Sequence, residues 1–236
     1  MIFKDRTHAG QLLARKLERY RGTDALVLAL PRGGVPVGAE IARALSAELD
    51  IVIPRKIGAP GDPELAIGAV SGHGGVFLNE HLVRTLGVSS EYIREAVARE
   101  RAEIERRSHL YRGARPAPHI EGRTVIVVDD GIATGYTMLA ALRGIREEGP
   151  ARLVTAVPVA PSDSVARLEA EADEVVVLSR PVPFFAVGQF YEDFAQVSDE
   201  EVQDILAQIR SLRGSLNASS DDSPGGKENT PRKSVG

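Results

Sequence analysis

Two adjacent carboxylates, Asp129 and Asp130, close the apolar run Val125-Ile126-Val127-Val128, and a hydroxyl and a glycine follow as Thr134-Gly135. The stretch continues as Tyr136-Thr137-Met138, so its pattern is a buried strand, a loop of small residues and then a helix. A helix start leaves amide N–H groups without intrahelical partners, and the helix dipole favours an anion beside them. Thr134 and Thr137 add hydroxyl donors, and Gly135 allows close approach to the backbone. A phosphate suits that cradle, but two carboxylates would repel it, so Asp129 and Asp130 need another part of the ligand. The vicinal hydroxyls of a ribose meet that need, since ionised carboxylates accept hydrogen bonds and favour a nearby Mg²⁺. A strand end with solubilising acids and a helix cap is the plainer alternative. A Walker loop fits worse, because the Gly-Lys-Ser/Thr ending is absent.

Four apolar residues, two acidic residues, a short spacer and Thr-Gly resemble the binding motif of the type I phosphoribosyltransferases. The resemblance implies a domain that binds 5-phosphoribosyl 1-pyrophosphate (PRPP) with Mg²⁺. Such a domain passes the phosphoribosyl group to a nitrogenous, nucleobase-like acceptor and releases pyrophosphate. By the same resemblance Asp129 and Asp130 hold the ribose hydroxyls and act on the metal indirectly, while Ala133, Thr134, Gly135, Tyr136 and Thr137 wrap the 5-phosphate. Pro31-Arg32-Gly33-Gly34, Arg55-Lys56-Ile57-Gly58-Ala59-Pro60 and Pro63-Glu64-Leu65-Ala66-Ile67-Gly68-Ala69-Val70 together resemble a bacterial subgroup of uncharacterised acceptor. Some members of that subgroup are fused to a hydrolase, whose Gly-X-Ser-X-Gly elbow this sequence lacks.

The glycine-rich turn Pro31 to Gly38 is a second place where backbone amides could meet an anion. Its glycines at 33, 34 and 38 miss the first, third and sixth spacing of a dinucleotide fingerprint, which ranks second here. In the resembling family this loop binds pyrophosphate, and Arg32 and Gly33 occupy the matching positions. Arg55 and Lys56 are expected at the end of the second strand, on the same sheet edge, where a fork of donors and a point charge would engage the leaving group. A solvated Arg-Lys pair is the plain alternative. The segment 63–70 and the hairpin after it fall where the family has a loop that closes over substrate.

Four of the six Phe residues crowd Pro181 to Phe194. Aromatic faces there can stack on a flat heterocycle, and the family's purine-salvage members place a comparable stretch beside the base, so Phe184, Phe185, Ala186 and Val187 are base-pocket candidates. Clustered Phe also packs cores. Ala133 stands where enzymes acting on 6-oxopurines carry an Asp as proton acceptor, which brings the motif closer to the adenine and uracil enzymes. The five His residues show no metal-ligand spacing. Two rivals remain: a sensor that binds PRPP without catalysis, and an α/β dinucleotide enzyme built on Gly33 to Gly38.

These residues need a scaffold that brings strand ends together. Five nearly continuous apolar runs, at 25–30, 50–53, 124–128, 153–157 and 174–178, read as strands covered on both faces. Helical patterns at 35–45, 136–148 and 162–172 alternate with them, which predicts a doubly wound parallel α/β sheet with its ligand at the strand carboxyl ends. Outside that rhythm lie a glycine-rich hairpin at 66–79 and a charged helix at 89–112, expected at a domain edge or between subunits of a homodimer. A last helix opens on the capping box Ser198 and Glu201. One domain is expected over 1–213, with a small hood above the sheet, and a disordered tail over 214–236. With a net charge of −4 and no basic stripe, nucleic acid is not the expected partner. The absence of cysteine, of a signal-like start and of a long apolar run points to the cytoplasm and away from membranes.

Overall fold

Runs of β-branched and aliphatic residues form one parallel sheet in the computed structural model, which describes residues 1–72 and 75–221. Its strands are β1 (Ala25–Ala29), β2 (Glu48–Ile51), β6 (Thr124–Val128), β7 (Arg152–Val159) and β8 (Glu174–Ser179), in the order β2-β1-β6-β7-β8. Every neighbouring pair is parallel. The two-residue period sends Val27, Ala29, Ile126 and Val128 to one face and Leu26, Leu28, Val125 and Val127 to the other, and both faces are buried. On the first face pack α1 (Arg6–Lys16), α2 (Gly34–Leu45) and α7 (Asp199–Asp221). On the second pack α5 (Tyr136–Arg146), through Met138, Leu142 and Ile145, and α6 (Ser162–Glu169), through Val165 and Leu168. Each such fully buried side chain contributes roughly 1.5–3 kcal/mol.

A second sheet of three antiparallel strands, β3 (Arg55–Ala59), β4 (Asp62–Val70) and β5 (Val76–Leu78), stands on the carboxyl side of β2. It corrects the placement of Arg55 and Lys56, which open β3 rather than end the second parallel strand. Proline explains the change. Val52 N–H makes the last bond to β1, on Ala29 O at 3.0 Å, and Pro54 has no N–H with which to continue the ladder. After α3 (Glu80–Thr85), the charged helix α4 (Ser90–Arg112) buries Ala96, Ile104 and Tyr111 against β3, β4 and α7 of its own chain.

The capping box at the last helix forms in both directions: Glu201 N–H donates to Ser198 Oγ at 3.1 Å and Ser198 N–H to Glu201 Oε2 at 2.7 Å. Helix α7 runs through the boundary expected at 214, because a single glycine weakens a helix by about 1 kcal/mol whereas the first proline comes at 224. The remainder of the expected tail, 222–236, lies outside the described residues, as do His73 and Gly74 of the hairpin expected from sequence. Among the described residues no helix is long and apolar enough to cross a membrane.

Candidate active site

Register brings the two informative loops together. Ala29 pairs with Val128, so β1 and β6 end side by side, and Leu30 N–H donates to Val128 O at 2.9 Å. The turn after β1 then presses on the acid motif. A Cβ built on Gly33 would run into the Asp130 carboxylate, so only glycine fits there while that carboxylate keeps its place. Asp130 is fixed from two further directions. Arg6 Nε donates to Asp130 Oδ2 at 2.8 Å, and the Tyr191 hydroxyl donates to Asp130 O at 2.5 Å. The Arg6 guanidinium also donates to Ala195 O at 2.7 Å and lies 3.9 Å from the centre of the Phe194 ring.

Crowding perturbs these groups. Burial, and then the charge of Asp130, hold the Asp129 carboxyl well above the usual carboxylate range, although the Asp130 N–H donates to Asp129 Oδ1 at 2.9 Å. Burial also raises Asp130, against the opposing pull of Arg6. Burial pushes the Tyr191 hydroxyl upward, with Asp130 adding to it, so Tyr191 stays a donor at neutral pH. A pair that resists carrying two charges invites hydroxyl donors or a cation. Among the described residues no three His, Asp or Glu side chains gather as a metal cluster. Two neighbouring carboxylates, one engaged by Arg6, still suit Mg²⁺ as part of a shell that ligand oxygens and water complete.

Beyond the acids the chain turns into α5 at Gly135, whose φ of 80° lies in the left-handed region that other residues avoid. No side chain caps this helix, so the first-turn amides of Tyr136, Thr137 and Met138 are open to a ligand. The loop carbonyls are tied off on the other side. Ser164 Oγ donates to Ala133 O at 2.7 Å, and Arg167 Nη2 donates to Thr134 O at 2.9 Å. Thr134, Tyr136 and Thr137 remain exposed. The result is an uncapped helix start with exposed hydroxyls directly after two acids.

A family model described as the phosphoribosyl transferase domain matches residues 72–193, more than half of the chain. The chain belongs to that family. Two Mycobacterium tuberculosis proteins, from strains CDC 1551 and H37Rv, carry names that assign them provisionally as phosphoribosyl transferases, and each is 44% identical over 201 residues. The match takes in 85% of this chain and 45% of each relative, so the chain spans just under half of their length. The crystal structure of TT1426 from Thermus thermophilus is 48% identical, covers 88% of this chain and 99% of its own, and superposes with a TM-score of 0.80.

Within this phosphoribosyl transferase domain the residues singled out from sequence divide into two groups. Gly33, Asp129, Asp130 and the 133–137 loop converge. Val187 joins them, its Cγ1 lying 2.5 Å from where a Cβ on Gly131 would stand. Arg32, across a cis peptide from Pro31, faces Asp199 at 3.7 Å, and that carboxylate also accepts from the Tyr111 hydroxyl at 2.5 Å. Arg55 pairs with Glu100 of α4 at 2.7 Å, and Lys56 is exposed on β3. Phe184 stacks on buried Phe190, with ring centres 5.3 Å apart, whereas Phe185 is 82% exposed. Sequence reasoning missed Arg6, Tyr191, Ser164 and Arg167. Only Tyr191, inside the aromatic cluster, left a local signal.

Proposed function

We propose that this domain binds PRPP and catalyses displacement of its pyrophosphate by a nitrogen of a nucleobase-like acceptor. The observation that carries the reading is the uncapped first turn of α5 set directly after two crowded carboxylates. In this reading the amides and hydroxyls of 133–137 take the 5-phosphate, and Asp129 and Asp130 accept from the ribose hydroxyls. The turn at Arg32 and Gly33 receives the pyrophosphate. Bound Mg²⁺ would neutralise charge that develops on the leaving phosphates.

The anomeric C–O bond breaks as a C–N bond forms, and the electron pair leaves with pyrophosphate. Positive charge on the sugar grows during that step, and the fixed carboxylates favour it. Arg32, Arg55 and Lys56 would stabilise the departing charge, which requires Arg55 to exchange Glu100 for a phosphate oxygen. Phe184, Phe185 and Val187 offer one wall for a flat acceptor. We place the domain in the cytoplasm, in keeping with a chain that has no cysteine.

Ala133, where 6-oxopurine enzymes resemble one another in carrying an Asp, supports an acceptor that needs no such base. It equally supports a second reading, a PRPP sensor without turnover. Mg²⁺-dependent pyrophosphate release, measured across purine, pyrimidine and amine acceptors, tests both. Release with one acceptor class is the expected result. Tight PRPP binding with no release for any acceptor would favour the sensor.

A further inference from the structure

Arg6 brings a full positive charge into the acid motif from a helix 124 positions away. Its side chain and that of Asp130 are only 12% and 14% exposed, so this is not a solvated surface pair. Three groups hold the guanidinium: the Asp130 carboxylate, the Ala195 carbonyl and the Phe194 ring.

Docking of α1 does not require that arrangement. The helix is already seated by buried Ala9, Leu13 and Ala14, and Asp5 caps it by accepting from His8 N–H at 2.7 Å. The residues before it are also stitched to the carboxyl-terminal loop, with Phe3 N–H on Phe190 O at 2.8 Å and Glu192 N–H on Phe3 O at 2.8 Å. A buried charge on a helix that is otherwise anchored calls for an electrostatic reason. Asp129 and Asp130 together would set two negative charges beside an anionic sugar phosphate. With both acids ionised, Arg6 brings the sum of the three side chains to minus one, and it does so through Asp130 Oδ2.

We propose that Arg6 is a built-in counter-charge for the two carboxylates, a positioning residue that lets the site accept a ribose phosphate before any metal arrives. The inference rests on the PRPP reading above and deepens it. It assigns a resident cation to part of the task that a divalent ion would otherwise perform alone.

The test is calorimetric binding of ribose 5-phosphate to the full chain, in Mg²⁺ and again in EDTA, for wild type, Arg6→Gln and Arg6→Lys. Removing the fixed charge that sits 2.8 Å from the Asp130 carboxylate is expected to weaken metal-free binding by about tenfold and binding in Mg²⁺ by much less. Arg6→Lys keeps the charge and should retain most of the metal-free affinity. An equal loss for Arg6→Gln in both conditions would overturn the proposal, as would equal losses for Gln and Lys. Melting temperatures are read alongside, and a glutamine variant that fails to fold would make Arg6 structural and likewise overturn it. Wild-type binding in Mg²⁺ but not in EDTA would also overturn it, whereas absence of wild-type binding in both conditions would instead remove the PRPP reading itself.

Discussion

The carboxylates after β6 and the phenylalanines of the 181–195 loop touch through Val187 and Tyr191, yet they are held in opposite ways. Asp130 is fixed by Arg6, by the Tyr191 hydroxyl and by the close face of Gly33. Phe185 carries its ring 82% in solvent, while its amide donates to Gln189 Oε1 at 3.2 Å. One half is held in place, and the other leaves an aromatic ring in solvent. Binding energy follows that division, because groups already in place lose little freedom when a ligand comes, while a solvent-facing ring must be ordered.

The sharpest way to break the contrast is to remove the charges of the organised half. Asp129→Asn with Asp130→Asn should lower turnover by at least roughly 10²-fold, read as initial-rate pyrophosphate release. Wild-type rates in that variant would remove both acids from the chemistry. Gly33→Ala keeps every polar group but drives a methyl into the Asp130 carboxylate. It should weaken ribose 5-phosphate binding about tenfold and destabilise the fold by about 1–3 kcal/mol, measured by calorimetry and denaturant melts. Unchanged affinity would mean that the loop yields freely and that this half is less rigid than its contacts imply.

The far end of α5 supplies a control outside both halves. Burial lifts the Glu148 carboxyl to about 7, with Arg112 opposing. Its folded pKa lies above its unfolded one, so its stabilising contribution is complete below about 4.5 and lost as pH rises through about 7. Glu148→Gln should therefore gain about 1 kcal/mol on wild type between pH 5 and pH 7.5, a figure reduced for partial exposure, without altering ribose 5-phosphate affinity. Stability curves at several pH values check the first part and calorimetry the second. The smallest effect belongs to the open half. Phe185→Ala should leave stability within about 0.5 kcal/mol, since its ring is already in water, and raise the acceptor KM only a few-fold. A collapse of the fold would show that ring to be packed.

What the sequence made legible follows the range of each signal. Four of the five parallel strands were readable from apolar runs, whereas β2 lies two residues before the expected 50–53 because its Glu48 and Asp50 alternate with buried Leu49 and Ile51. The acid-to-Thr-Gly spacing located the loop that opens α5. Ser198 and Glu201 announced their helix for the same reason, being three residues apart. Arg6 left no such mark, because its partners lie 124 and 189 positions away and no local period encodes them. Strand β3 was hidden too. Arg55-Lys56-Ile57-Gly58-Ala59 has weak strand preference of its own and is held by its pairing with β4. The Phe cluster was conspicuous in composition, but composition does not separate stacked Phe184 from solvent-facing Phe185.

The link from Arg6 to Ala195 has a temporal side. As the polypeptide emerges from the ribosome, Arg6 waits through the synthesis of 189 further residues for the carbonyl that will receive it. Contacts of such long sequence separation form late, after the nearer pairings are in place. The nascent domain can thus assemble its sheet while the surroundings of Asp130 are still incomplete, and Arg6 reaches its full set of partners only once Ala195 is in place.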